Sequence, residues 1–283
     1  MEPRPPAVAG QFYADDGAAL ARQIEACFLS TRGPGELPSR RRVPPRRLRA
    51  AVVPHAGYEF SGPIAAWAYR RIAGEPPPHT VVVLGVDHRA AGPGPALSDR
   101  DWRTPLGPTT VDHDLVQALT RGPIVVDEAA HAREHSIEVQ LPFLEYVLAK
   151  PRFVALQIPF APFAELEAIG RAVRDALEGR DVLVLASTDF SHYVSAAVAE
   201  RLDRMAIDAL LTRDPRHLYE TVVGNDISMC GIAPTTVLLA ALAAEPLEAR
   251  LLRWGHSGEA APMREVVGYA ALTFDRAAPA TPP

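Results

Sequence analysis

Three short segments each follow an apolar run rich in β-branched residues, and each delivers a histidine: Val52-Val53-Pro54-His55-Ala56-Gly57-Tyr58, Leu84-Gly85-Val86-Asp87-His88 and Ser187-Thr188-Asp189-Phe190-Ser191-His192-Tyr193. Imidazole is suited both to holding a transition metal and to moving a proton near neutral pH. In α/β proteins the carboxyl ends of the sheet strands line the ligand crevice, so three strand-end histidines are expected to converge on one site. The chain therefore reads as an enzyme or the descendant of one.

His55 leaves its strand before Ala56-Gly57, whose small side chains keep the ring accessible; a satisfied core histidine is the competing reading. His88 has the same placement after Gly85. Asp189 and His192 lie three apart just beyond a strand, close enough for the carboxylate to orient the ring or for both to face a pocket. Cys230, in Met229-Cys230-Gly231, precedes a helix whose N-terminus favours thiolate, the form that binds metal or attacks. His131 and His135 have the spacing of a helical metal pair, but the glutamate of His-Glu-x-x-His is missing and His131 is expected to precede the helix. That leaves His135 as a pocket-lining group beside Glu134. His256 reads as a loop residue, and His79, His113 and His217 as surface or capping residues.

Strands and helices must carry these groups to one place. Helices are expected over residues 18–28, 63–72, 113–120, 135–149, 163–177, 195–211, 217–223 and 234–244, and strands over 48–53, 80–84, 124–126, 153–159, 181–186 and 266–274. Pro142 must sit near the first turn of its helix or kink it. Trp102-Arg103-Thr104-Pro105-Leu106-Gly107 reads as a loop, and Cys27 as core packing. Residues 33–49 are Pro-rich and carry Arg40, Arg41, Arg42, Arg46, Arg47 and Arg49. With no aromatics interleaved, this is expected to be a solvated connector and not an RNA-binding patch. The alternation of helix and strand, with no repeat or composition break, predicts one α/β domain over residues 1–276 and a tail at 277–283. Its architecture should be three-layer α/β/α with a central mixed sheet.

At 283 residues, 48% hydrophobic and 22% charged, the chain has enough apolar material for one large core. A net charge of −5 argues against a dedicated nucleic-acid binder. Two cysteines, Cys27 and Cys230, are too few for a disulfide framework and fit a reducing compartment. No stretch approaches the roughly 18 apolar residues of a membrane span, and the start Met1-Glu2-Pro3-Arg4-Pro5-Pro6 lacks a signal-peptide core. A soluble, cytoplasmic protein is expected.

The longer motifs are more specific. His55-Ala56-Gly57-Tyr58-Glu59-Phe60-Ser61-Gly62, the Gly85-x-x-His88 of the next strand, Trp102-Arg103-Thr104-Pro105-Leu106-Gly107, Glu134-His135-Ser136-Ile137-Glu138-Val139-Gln140-Leu141-Pro142, Asp189-Phe190-Ser191-His192-Tyr193, Cys230-Gly231 and Gly268-Tyr269-Ala270 occur in the order seen in the Memo family. So does the opening Arg4-Pro5-Pro6-Ala7-Val8-Ala9-Gly10-Gln11-Phe12-Tyr13. The resemblance covers residues 4–274.

It implies a fold like the catalytic subunit of class III extradiol dioxygenases. By position it assigns His55, His88 and Cys230 to a two-His-one-Cys metal site, with Asp189 and His192 beside it as catalytic groups. Glu134, His135, Tyr58 and Asp87 fall at the substrate pocket. Where the family usually has a further histidine after a proline and a small polar residue, this chain has Val86-Asp87-His88-Arg89. Two imidazoles and one anionic ligand leave open positions of the kind non-haem Fe(II) uses, and thiolate in place of carboxylate makes copper or zinc more competitive. The resemblance also implies partners: bacterial members are often encoded beside an AMMECR1-like protein and a radical S-adenosylmethionine protein, the AmmeMemoRadiSam system, of which this chain resembles protein B. Three functions are expected in order. The first is a metal-dependent, dioxygenase-like oxidoreductase acting on a small molecule. The second is an adaptor binding a peptide in a vestigial pocket, and the third a zinc hydrolase with His192 as base.

Overall fold

The computed structural model describes residues 2–39, 44–120, 122–149 and 151–277. The first half of the chain holds helix α1 (Gly17–Leu29), strand β1 (Leu48–Val53), α2 (Gly62–Ala73), β2 (Thr80–Val86), β3 (Ala96–Leu97), β4 (Trp102–Thr104), β5 (Gly107–Val111), α3 (His113–Leu119), β6 (Val125–Val126) and α4 (Glu128–His131). A 3₁₀ turn over Glu138–Gln140 then leads into α5 (Leu141–Leu148). After it come β7 (Arg152–Ile158), α6 (Phe163–Leu177), β8 (Val182–Ser187), β9 (His192–Val194), α7 (Ala196–Leu211), α8 (Pro215–Gly224), α9 (Ile232–Leu242), β10 (Leu247–His256) and β11 (Val266–Arg276).

The strands form a mixed α/β fold around a single sheet in the order β10-β11-β1-β8-β2-β7-β3-β6. Its centre is parallel: β1, β8, β2 and β7 run the same way, with Val53 beside Ser187, Leu84 beside Ala186 and Gly85 beside Gln157. Every residue of β1, β2 and β8 is buried, which a parallel sheet requires because helices cover both faces. Helices α1, α2 and α5 pack together on one side, with α2 against β1, β10 and β11. On the other side α9 lies against β2, β7 and β8 and is itself covered by α6 and α8. That placement explains its sequence: Ile232–Leu242 is apolar and small all round, with no solvent face to keep polar.

Several expectations need correcting. The segment 102–107 is a hairpin, not a loop, with Trp102 opposite Thr109 across the Pro105-Leu106 turn. The helix expected from residue 135 begins later, and Pro142 stands in its first turn, where a missing N–H costs nothing. Residues 247–256 form β10, and His256 ends that strand opposite Gly268 instead of lying in a loop. The arginine-rich connector is not simply solvated. Arg49 belongs to β1 and is buried, giving Nε to Glu245 at 2.9 Å and Nη1 to the Val182 carbonyl at 2.8 Å, while Arg46 pairs with Asp181. Arg40, Arg41, Arg42 and most of the 277–283 tail lie outside the described residues. Cys27 is buried in the core as expected, and no helix among the described residues is long and apolar enough to cross a membrane.

Candidate metal centre

The three adjacent parallel strands β1, β8 and β2 end side by side, and their C-terminal extensions supply His55, Asp189 and His88. A fourth group arrives from the Glu134–Ile137 loop, which folds down over the end of β2. Gly85 permits this: a Cβ there would fall 2.3 Å from Ile137 Cγ1 and 2.7 Å from Ser136 Oγ. Ser136 completes the join, its hydroxyl accepting the Val86 N–H at 2.9 Å. The loop thereby lays His135 flat against His88, ring centroids 4.7 Å apart and planes 14° from parallel, and edge-on to His55 at 5.4 Å.

The result is a cluster of three imidazoles, His55, His88 and His135, each with a ring nitrogen within 4.8 Å of the others. Second partners orient two of these rings. Nδ1 of His88 stands 3.0 Å from Glu134 Oε1, and Nδ1 of His55 stands 3.0 Å from the Ser187 hydroxyl, so in both the Nε2 edge faces away from these partners. Glu134 is buried and also accepts the backbone N–H groups of His88, His135 and Ser136. Burial alone would raise its pKa, but the hydrogen bonds from His88 and the backbone win and hold it well below the usual carboxylate range.

Desolvation keeps two of the imidazoles neutral. Burial, reinforced by the neighbouring His135 and His88, lowers His55 far below an ordinary histidine, and burial brings His135 to about 4. Three imidazole nitrogens beside a buried carboxylate fit a divalent or soft monovalent cation.

Cys230 is in the site but off the triad. Its sulfur lies 3.2 Å from His55 Nε2 and accepts the Asp189 backbone N–H at 3.3 Å. Gly231 brings it there, since a Cβ at that position would fall 2.2 Å from the Cβ of Thr188. The ligand set implied by family resemblance made Cys230 the third ligand and His135 a pocket residue; the geometry groups His135 with His55 and His88, with Cys230 beside His55 and the Asp189 backbone. Nor does the helix N-terminus favour thiolate here. Burial and the Asp189 carboxylate push the thiol up, so it is protonated while no cation is bound.

The other site residues divide clearly. Asp189 accepts the His55 backbone N–H at 2.8 Å, and burial pushes its carboxyl up to about 6. His192 opens β9, clamped beside β11, with Nδ1 2.8 Å from the Ser228 carbonyl and Nε2 left open. Its charge would be felt by both His55 and Asp189. Tyr58 is buried among Tyr13 and Phe143 and donates its hydroxyl to the Val139 carbonyl at 2.6 Å, a core role. The Asp87 carboxylate caps its own turn by accepting from Arg89 and Ala91. His131 is fully buried, donates Nε2–H to the Ala96 carbonyl at 3.0 Å and packs edge-on to Trp102, apart from the triad. Phe12, on the N-terminal segment, covers His135 at 4.7 Å and was not singled out from sequence, nor were Ser187 and Gln140. A lone aromatic, hydroxyl or amide carries no periodic signal to mark it.

Fold and site together define an α/β protein with a histidine cluster at the carboxyl ends of its parallel strands. The chain belongs to the Memo family: the model of that family, described as Memo-like protein, matches residues 4–273. A MEMO1 family protein of Methanopyrus kandleri is 42% identical over 281 residues, covering 96% of this chain and 99% of the relative. Another, from Methanothermobacter thermautotrophicus, is 39% identical over 277 residues, covering 95% and 99%. Among solved structures, an uncharacterized protein of Escherichia coli K12 shares the fold with a TM-score of 0.52 at 16% identity, covering 80% of this chain and 99% of that one.

Proposed function

We propose that this Memo-family protein is a metal-dependent enzyme of the oxidoreductase kind, acting on a small molecule, with Fe(II) or copper held by His55, His88 and His135. The observation that carries the reading is the triad itself: two imidazoles at strand ends and a third from the loop over them, two of the three oriented from behind by Ser187 and Glu134. A scaffold with no bound ion has little reason to keep such a set desolvated. An ion bound there would polarise a substrate hydroxyl and, if iron or copper, take part in electron transfer. In this reading His192 takes up the substrate proton at Nε2, which is supported by its Nδ1–H being held by the Ser228 carbonyl. Asp189 holds the His55 backbone and, as a carboxyl of raised pKa, can bind the polar end of a substrate. Phe12 walls the cluster against water on the His135 side.

A zinc hydrolase with His192 as base is the second reading, favoured by the all-imidazole character of the triad, a common catalytic zinc set. Metal analysis after anaerobic purification separates the readings: iron or copper supports redox chemistry and zinc supports hydrolysis. Failure of all three ions to bind the purified protein would leave a peptide-binding adaptor as the better account. If the protein acts beside AMMECR1-like and radical S-adenosylmethionine partners, substrate turnover should be sought with those proteins present.

A further inference from the structure

Behind His55, on the side away from the cluster, a chain of buried polar groups runs from Ser187 through Gln140 to Tyr69. The Ser187 hydroxyl stands 2.6 Å from the Ser136 carbonyl, 2.8 Å from Gln140 Nε2 and 3.0 Å from His55 Nδ1, and is fully buried. A serine hydroxyl has one proton to give and two lone pairs that accept. The Ser136 carbonyl can only accept, so it takes the proton. The orientation of Gln140 is fixed by two other neighbours: its Nε2 lies 2.9 Å from the Pro54 carbonyl, and its Oε1 receives the Tyr69 hydroxyl at 2.7 Å. Turning that amide over would set its oxygen against the Pro54 carbonyl. Gln140 therefore donates to Ser187 and occupies one lone pair. What remains for His55 is the second lone pair, which demands a proton on Nδ1.

We propose that Tyr69, Gln140 and Ser187 are positioning residues that lock His55 in its Nδ1–H tautomer, so that Nε2 meets the cluster as a bare lone pair. The opposite tautomer would press the Nδ1 lone pair against that of Ser187 in a buried site, acceptor against acceptor. One consequence is local: in the metal-free protein Cys230 donates its S–H to Nε2 of His55, across the 3.2 Å that separates them. The same hydroxyl also ties the strand end that follows β8 to the loop bearing His135, through the Ser136 carbonyl. The assignment rests on the metal reading only for its effect on affinity; the tautomer itself follows from the hydrogen-bond polarity.

The test is long-range 1H–15N correlation NMR of metal-free protein labelled with 15N-histidine, the His55 ring being assigned by its loss in His55→Gln. The expected result is a single tautomer protonated on Nδ1 in the wild type and in Ser187→Thr, which keeps the hydroxyl, and a mixture in Ser187→Ala. Zn(II) titrated into the same samples should bind about 10- to 100-fold more weakly to Ser187→Ala, with Ser187→Thr restoring it. A wild-type ring protonated on Nε2 overturns the proposal, and that spectrum decides alone if the alanine variant does not fold. A folded Ser187→Ala with unchanged tautomer or unchanged zinc affinity overturns it as well. A wild type that shows the Nδ1–H tautomer yet takes up no zinc, iron or copper removes the metal reading while leaving the tautomer assignment standing.

Discussion

Glu134 holds His88 twice: its Oε2 accepts the backbone N–H and its Oε1 the ring Nδ1–H, each at 3.0 Å. The same Oε1 takes the N–H groups of His135 and Ser136 at 2.9 Å. One carboxylate thus sets the ring of one proposed ligand and the backbone of the next. Glu134→Gln keeps the size but replaces an acceptor with a donor, which cannot satisfy four N–H groups. Zinc affinity, read by competition with a chromophoric chelator, is expected to fall by about 10- to 100-fold, with the circular dichroism spectrum retained.

The grouping of His135 with His55 and His88 makes a different forecast from the His55, His88, Cys230 set. His135→Ala should lose metal as completely as His55→Ala. Cys230→Ser, by contrast, should keep its ion at near wild-type content, because the sulfur stands outside the triad. Metal content of the four purified proteins reads this directly, and the reverse ranking would return Cys230 to the ligand set.

Gly85 is a steric condition for the site. Gly85→Val must push Ile137 and Ser136 off the end of β2, since even a Cβ lies 2.3 Å from Ile137 Cγ1. Overpacking of this kind costs about 1–3 kcal/mol. The denaturation midpoint should drop accordingly, and metal uptake should fall further than the stability loss explains, because His135 leaves with the loop.

The N-terminal segment is fastened by a buried ion pair. Arg4 Nη1 lies 2.7 Å from Glu138 Oε2, and Glu138 also accepts from the Ala7 and Val8 backbone and the Tyr13 hydroxyl. Arg4→Met leaves that carboxylate buried without its cation, a loss of about 3–5 kcal/mol. Urea unfolding should show it. The double change Arg4→Met with Glu138→Gln should recover part of the difference.

His131 sets a pH dependence of stability. Burial lowers it to about 4 from an unfolded value near 6.5, so the unfolded chain binds the proton more readily. Its contribution is complete above about pH 6.5 and is lost as pH falls toward 4, with a slope of up to about 1.4 kcal/mol per pH unit. Metal-free wild type and His131→Gln, unfolded in urea across that range, should differ in slope, with the variant flatter.

Strands β1, β2 and β8 were legible because burial on both faces makes each a continuous apolar run, and a histidine follows each within a few residues. β10 was not: as an edge strand it mixes Glu248, Arg250 and Arg253 with apolar neighbours, and its register shifts between Leu251 and Arg253, which erases the alternation. The hairpin at Trp102–Val111 turns on Pro105-Leu106, not on an Asn-Gly pair. At the site, His55 and His88 could be read from strand ends, but the helical pattern through residues 135–149 hid a tertiary event. Glu134 and Ser136 hydrogen-bond to the end of β2, and those bonds hold residues 134–137 out of the helix.

The sheet order also sets a timetable for the protein's synthesis. β1, which leads to His55, is made early, yet its two neighbours are β8 and β11: Val53 pairs with Ser187, and Ala50 with Phe274. An emerging chain therefore displays β1 with both edges open until β8 leaves the ribosome and with one edge open until β11 does, and pairings so distant along the chain close slowly. His55 takes its place beside His88 only once β8, which lies between β1 and β2, has been made, so a half-made chain has nowhere to capture an ion.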